Sequence, residues 1–221
     1  KNIKKLKNII IKEQIDVVHV NGTPDHKVVM LCKWLYRLNF RIIRTKHDSF
    51  KIKQDWFANK LYGKYTDQMI VVSNFQYNHI ITSELQRKTT VIHNGIDLEY
   101  FQPREKSQDL IKQFNIQDKD IVFVSVAGTA LHKGWQFLVE AASRLDDELR
   151  SRIKIIIVGN SPSNEIVEQY INQLNMQDNV IFTGFMDDVR EAISIADIGF
   201  VLSIGVETIS FACREMMAMG K

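Results

Sequence analysis

The 221-residue sequence predicts an α/β protein built as two Rossmann-like parallel-sheet domains, and three observations carry that expectation. Eight short apolar runs rich in β-branched residues are spaced along the chain. Segments with a period near 3.6 separate most of them, the mark of amphipathic helices. The runs are continuously apolar rather than alternating, as strands are when helices cover both faces of a parallel sheet.

The first four runs are IDVVHV (15–20), FRIIRTKH (40–47), QMIVVS (68–73) and TTVIHN (89–94). The next four are DIVFVSVAG (120–128), RIKIIIVG (152–159), NVIFTG (179–184) and DIGFVLS (197–203). KGWQFLVEAASRL (133–145) and SNEIVEQYINQLNM (163–176) read as helices between them. The break falls in DLEYFQPREKSQDLIKQFN (97–115), where Pro103 and a charged stretch interrupt the pattern. The expected domains are therefore 1–100 and 101–221, joined near residues 95–105. A doubly wound half usually carries five or six strands. The first domain opens on a lysine-rich helix with no glycine-rich βα turn, and the second stops at Gly220-Lys221 after four strand–helix units. Both domains are expected to be partial, as in a piece of a longer chain.

Hydrophobic residues make up 45% of the chain and charged residues 25%, ordinary values for a globular protein. No apolar run approaches the roughly 18 residues that a membrane span needs. Cys32 and Cys213 lie far apart within apolar helical segments, which suggests reduced, buried thiols and a cytoplasmic setting. The net charge of +3 hides a step. Residues 1–104 carry 18 Lys/Arg against 9 Asp/Glu, and residues 105–221 carry 11 against 17. A basic first half suits an anionic lipid surface, a phosphorylated substrate or nucleic acid, and equally a merely solvated basic face.

Ligands of open α/β sheets bind at the carboxyl ends of strands, so each strand end is a candidate. After DIVFVSVAG, Gly128 permits a close turn and Lys133 precedes a helix N-terminus, a place that favours phosphate. After RIKIIIVG come Gly159 and a helix that Ser163 or Asn164 can cap. After NVIFTG, Gly184 and the backbone of Phe185 and Met186 can lie against a flat ring, while Asp187 and Asp188 suit a helix cap. After DIGFVLS, Ser203 ends the strand and Glu207 stands near the next helix start. Glu215 lies about two turns further on, among residues of buried type, where a carboxylate is costly unless it finds a partner. Vicinal sugar hydroxyls could donate two hydrogen bonds to it; an ion pair with Arg214, or with a lysine elsewhere, is the plainer alternative. In the first half His47 ends a strand beside Lys46 and Asp48. His19 and His93 also stand at strand ends.

These motifs, in this order, resemble those of the retaining family-four glycosyltransferases, which have the two-domain GT-B fold. Nine pieces correspond, from about residue 12 to the end: IDVVHVNG, RTKHD, VVSNF, VIHNGIDLEYFQP, VAGTALHKGWQFLVEAASRL, IIIVGN, VIFTGFMDDV, SIADIGFVLS and ETISFACREMMAMGK. The last carries the family's E-x7-E as Glu207 and Glu215. The resemblance implies that Lys133 contacts the donor diphosphate and that Glu215 hydrogen-bonds the nucleotide ribose. It further implies that Glu207 lies by the donor sugar, that His47 faces the transferred sugar from the other domain, and that backbone around Gly184 to Met186 holds the base. Two departures stand out: Thr129 replaces the family's arginine, and Met216 its usual alanine.

The implied reaction moves a sugar, with retention, from a UDP- or GDP-sugar to a saccharide or lipid-linked acceptor in surface polysaccharide, lipopolysaccharide or glycolipid synthesis. Nucleic acid is not an expected partner. Neither a cofactor nor a metal is expected, because Lys133 and helix N-termini suit the growing charge of the leaving group. The sequence DKD (118–120) imitates a metal motif but precedes a strand, so it reads as a solvated turn. The expected location is cytoplasmic, peripheral at the inner face of a membrane. An epimerase or hydrolase of the same fold and a non-catalytic nucleotide-binding protein are the alternatives. A dinucleotide oxidoreductase is disfavoured, since no strand is followed by G-x-G-x-x-G.

Overall fold

The computed structural model describes residues 2–48, 51–52, 55–79, 81–161, 165–205 and 210–221. The chain folds as two compact units, Lys1–Asn94 and Gly95–Lys221. Each is built on a four-stranded, wholly parallel sheet among the described residues. The α/β expectation holds in both.

In the first unit the strands are β1 (Val17–Val20), β2 (Arg41–Lys46), β3 (Gln68–Val71) and β4 (Thr89–Val91), lying side by side in chain order. The helix Thr23–Tyr36 follows β1 and buries Val29, Met30 and Cys32. Its start is set by Pro24 near the first helical position, and Arg37 ends it in the left-handed conformation at φ 50°. Between β2 and β3 a short helix, Trp56–Ala58, runs into a π-helical turn, Asn59–Lys64. That turn buries Leu61 and Tyr62 against Met30, Met69 and Val71.

In the second unit the strands are β5 (Ile121–Ser125), β6 (Ile153–Ile157), β7 (Val180–Phe182) and β8 (Ile198–Gly199), and their spatial order is β7-β6-β5-β8. Alternate side chains of β6 serve opposite faces, as the pleat requires. Ile155 and Ile157 pack with Trp135, Val139 and Ile171; Ile156 packs with Leu110, Ala192 and Ile195. This two-sided burial explains why the strands read as unbroken apolar runs. The chain steps outward from β5 to β7, then returns to lay β8 on the other side of β5. The order therefore reverses at β5, and a crevice forms at such a switch point, outside the carboxyl ends of the strands.

One expectation needs correction. DIGFVLS reads as a strand ending at Ser203, but β8 covers only Ile198–Gly199 and pairs with β5 through Phe123↔Ile198 and Val124↔Gly199. It is an edge strand, and beyond it Leu202 and Ser203 belong to a loop. The final helix is Phe211–Ala218: Ser210 is its N-cap, extended at φ −85° and ψ 113°, with its hydroxyl accepting from the N–H of Cys213 at 3.2 Å. Of the thiols, Cys32 is buried and Cys213 only half-buried; both are unpaired.

Candidate functional site

The loops at the carboxyl ends of β5 and β8 meet over the switch point, and their contact is close. Gly134, at φ 76°, stands between a 3-10 turn (Leu131–Lys133) and the helix Trp135–Ser143. A Cβ there would lie 1.9 Å from the carbonyl oxygen of Leu202. The N–H of Ile204 donates to the carbonyl of His132 at 2.8 Å. Together these contacts bring Lys133 and Ser203, which sequence offered as separate strand-end candidates, onto two adjoining loops. The Ser203 hydroxyl oxygen is buried without a hydrogen-bond partner among the described residues. The N-cap of the helix Trp135–Ser143 is Gly134, which has no side chain to cap with, and Lys133 stands beside that positive end of the helix dipole.

Gly128, at φ 92°, opens the loop after β5. Trp135 holds that loop from below: its indole Nε1–H donates to the carbonyl of Thr129 at 2.8 Å, and its ring meets Phe182 edge-on at 5.3 Å. Trp135 is a positioning residue that sequence reading missed, because a tryptophan in an apolar helix signals only core. On the neighbouring strands Gly159 and Gly184 exchange two backbone hydrogen bonds of 3.1 Å, an isolated bridge beyond the ends of β6 and β7. A Cβ on Gly159 would lie 3.0 Å from Cγ2 of Thr129, so the loops after β5 and β6 also touch. Thr129 therefore lines the junction of these two loops. Met186 packs in the apolar layer with Val126 and Val189, while Phe185 is 80% exposed. Asp188 caps the helix Val189–Ile195, accepting from Arg190 N–H at 3.0 Å and from its guanidinium at 2.7 Å. Those bonds hold its carboxyl below the usual carboxylate range.

Glu215 sits half-buried on the helix Phe211–Ala218, next to Met216, whose side chain packs closely against Gly199 of β8. Burial raises its carboxyl above the usual value, and no described residue forms an ion pair or side-chain hydrogen bond with it. The alternative of an Arg214 pair is not what the structure forms. Glu207 lies outside the described residues, as do Ser163 and Asn164. The DKD turn lies before β5, at the opposite end of the sheet, with Asp120 accepting from Gln117 N–H at 2.9 Å. Among the described residues no three His, Cys, Asp or Glu side chains gather as if to hold a metal ion.

His47 belongs to the first unit. It follows β2, is exposed, and its Nε2 lies 3.1 Å from Oδ1 of Asn21 in the loop after β1. His19, the other histidine at this edge, contacts Thr45 Oγ1 at 2.7 Å. His93 bonds the carbonyl of Val72 at 3.0 Å.

Comparison with known proteins agrees with this architecture. The structure superimposes on the Anabaena protein HepE, solved with UDP-glucose, with a TM-score of 0.81 at 19% identity, covering 99% of this chain and 61% of that one. A glycosyltransferase from Rickettsia africae gives 0.82 at 23% identity, covering 100% and 60%. These likenesses concern the fold, which is GT-B. Among curated relatives, the N-acetyl-alpha-D-glucosaminyl L-malate synthase of Bacillus anthracis is 25% identical over 98% of this chain and 58% of its own length. An Escherichia coli UDP-Gal:alpha-D-GlcNAc-diphosphoundecaprenol alpha-1,3-galactosyltransferase is 26% identical over 100% and 60%. The chain thus spans about three fifths of the relatives it matches. Residues 106–221 match the family described as Glycosyl transferases group 1, and residues 1–100 match Glycosyltransferase Family 4. With more than half of its residues in the first of these matches, the chain belongs to the group 1 glycosyl transferases.

Proposed function

We propose that the whole protein transfers a sugar, with retention, from a nucleotide diphosphate sugar to an acceptor hydroxyl, and that the second unit binds the donor. The observation that carries this reading is Glu215: a half-buried carboxylate, raised by burial, without an ion-pair partner among the described residues, on the helix that follows β8. A carboxylate so placed is stabilised by a molecule that donates two hydrogen bonds at once, as the vicinal hydroxyls of a ribose do. Lys133 and the N-terminus of Trp135–Ser143 then meet the diphosphate, whose charge grows as the glycosidic bond breaks. Gly128, Gly159 and Gly184 keep the strand ends low enough for a ligand to approach backbone, and the Gly184–Met186 segment takes the base. Ser203 offers its unpartnered hydroxyl from the loop after β8. His47 and Glu207 are the proposed catalytic residues at the transferred sugar. No metal takes part in this proposal.

UDP is favoured over GDP because the E. coli relative is named for UDP-galactose and HepE was solved with UDP-glucose. The same relative's name includes a diphosphoundecaprenol acceptor, which supports a lipid-linked saccharide acceptor and synthesis of a surface glycan. We further propose peripheral attachment to anionic membranes through the first unit. No described helix is long and apolar enough to cross a membrane. Trp34 and Trp56 are 58% and 70% exposed, and the Lys60 ammonium lies 3.9 Å from the centre of the Trp56 ring. Such amphipathic rings with adjacent lysines suit a headgroup layer. Failure to co-sediment with anionic vesicles at low salt would remove the attachment.

Calorimetric titration of UDP and GDP with EDTA present tests the donor site. UDP should bind, and Glu215→Ala and Lys133→Ala should each weaken it about tenfold or more. Binding unchanged by both substitutions refutes the site, and strict dependence on a divalent cation refutes the metal-free reading.

A further inference from the structure

Gln76, in the first unit, is polar yet 0% exposed. A buried amide is costly unless its polar atoms are engaged, and both of those on this side chain are. Its Oε1 accepts from the N–H of Val72 at 2.7 Å. Its Nε2 donates to the carbonyl of Lys46 at 3.1 Å and to that of Asp48 at 3.0 Å. An N–H on one side and two carbonyls on the other leave the amide a single orientation. Its backbone is tied down as well, since the N–H of Gln76 donates to Ser73 Oγ at 3.2 Å in the first turn of the helix Asn74–His79.

All three side-chain bonds go to backbone at the carboxyl edge of the sheet. β2 and β3 pair as far as Lys46↔Val71. Val72 follows β3, and Asp48 lies two residues past the end of β2. Gln76 thus carries the connection between the two strands past the point where their ladder ends. The carbonyls it holds are those on either side of His47. The ring of that histidine is met from the other neighbour, β1. His19 contacts Thr45 at 2.7 Å and Asn21 contacts His47 at 3.1 Å, so two polar pairs stand as successive rungs across the ends of β1 and β2. Oδ1 of Asn21 only accepts, so this contact places a proton on Nε2 of His47. Lys46 and Asp48, which flank His47, pair with each other.

We propose that Gln76 is a positioning residue for His47: it fixes the peptide groups that flank the histidine, and the ring then meets Asn21 in one place. The assignment rests on the glycosyl-transfer reading above, in which His47 acts at the transferred sugar. A reacting group must be held to within about 0.5 Å, and beyond the end of a strand no ladder bonds supply that precision. The second unit contains the same device in a place where it serves stability alone. Asn179 is 7% exposed, and its Nδ2 donates to the carbonyls of Arg150 at 2.7 Å and Ile153 at 2.9 Å, at the amino end of β6.

The test therefore compares Gln76→Met with Asn179→Leu, each close in size to the native residue and each leaving two carbonyls unserved. Both should lower the Tm. Long-range 1H–15N spectra of the full chain, recorded above the imidazole titration range, read which nitrogen of His47 carries the proton. In the native chain it should be Nε2. Gln76→Met should convert this to a mixture of both tautomers, as Asn21→Ala should, and the double variant should add little, because each change breaks one arrangement. Asn179→Leu should leave the His47 signals in place. In the whole protein, with UDP-glucose and UDP-galactose as probe donors, Gln76→Met should lower kcat about tenfold to a hundredfold with little change in donor KM. Asn179→Leu should leave both constants unchanged. If Gln76→Met does not fold, Gln76→Glu replaces it; that variant keeps the bond from Val72 N–H, serves at most one of the two carbonyls, and should shift His47 in the same direction. His47 signals or a kcat that ignore the change at Gln76 overturn the positioning role. So do a native ring protonated on Nδ1 alone and an equal response to Asn179→Leu. A chain whose His47 responds as stated but which neither binds UDP nor releases it from a donor keeps the clamp and loses the catalytic assignment. One that binds UDP while His47 ignores Gln76 keeps the transfer reading and loses the clamp.

Discussion

Gly134→Ala probes the junction on which the second unit's site depends. At φ 76° an alanine occupies the left-handed region, which costs about 1–2 kcal/mol. Its Cβ would also stand 1.9 Å from the Leu202 carbonyl oxygen, inside the 3.0 Å that real Cβ atoms respect, so one loop must retreat by about 1 Å. Overpacking of this kind costs about 1–3 kcal/mol. The sum, about 2–5 kcal/mol, corresponds to a loss of roughly 10 °C in the melting of this unit. Gly128→Ala is the matched control: φ is 92°, but nothing among the described residues lies within 4 Å of the added methyl, so only the backbone cost of about 1–2 kcal/mol applies. Circular dichroism melting reads both variants, and calorimetry with UDP reads the site. Gly134→Ala should melt well below Gly128→Ala, and it should weaken UDP more, because the retreat separates the loops carrying Lys133 and Ser203. Equal melting of the two variants, with equal UDP affinity, would refute the claim that this contact shapes the crevice.

Burial and hydrogen bonding elsewhere in the molecule have measurable consequences too. Burial and Arg44 depress the His26 imidazole from 6.5 to about 4. The unfolded chain therefore binds the proton first, and stability present above pH 6.5 falls by about 3 kcal/mol as the pH drops towards 4; urea midpoints across that window should fall more steeply for the native chain than for His26→Gln. Trp135→Phe keeps the ring but strands the Thr129 carbonyl, which should cost about 1–2 kcal/mol in chemical denaturation. Asp188→Ala removes the cap of Val189–Ile195 together with its Arg190 bonds and should cost about 1–2 kcal/mol, read as a lower urea midpoint.

Much of the fold was legible because burial on both faces writes itself into composition. Ile155, Ile156 and Ile157 are consecutive and all apolar because a pleated strand between two helical layers has no solvent side. Gly128, Gly159 and Gly184 were readable as strand-end turns, and each indeed has a positive φ. Local signals failed where a contact was not local. The length of β8 depends on how far its edge pairs with β5, and DIGFVLS is apolar well beyond that pairing. The start of the last helix is set by the Ser210 hydroxyl, which accepts from Cys213 N–H.

The sequence by itself determined that alternating strands and helices would form parallel sheets, and that glycines and charged residues would cluster at strand ends. Both follow from periodicity and backbone freedom within a few residues. Only the tertiary structure decided that β8 returns beside β5, which creates the switch point. Only it put Gly134 against Leu202 and left Glu215 half-buried without an ion-pair partner among the described residues. It also buried Arg44 beside a neutral His26, although RIIRTKH reads as a strand with a basic tip. Strand order and desolvation are set by which distant segments exclude water from one another, and no window of neighbouring residues contains that information.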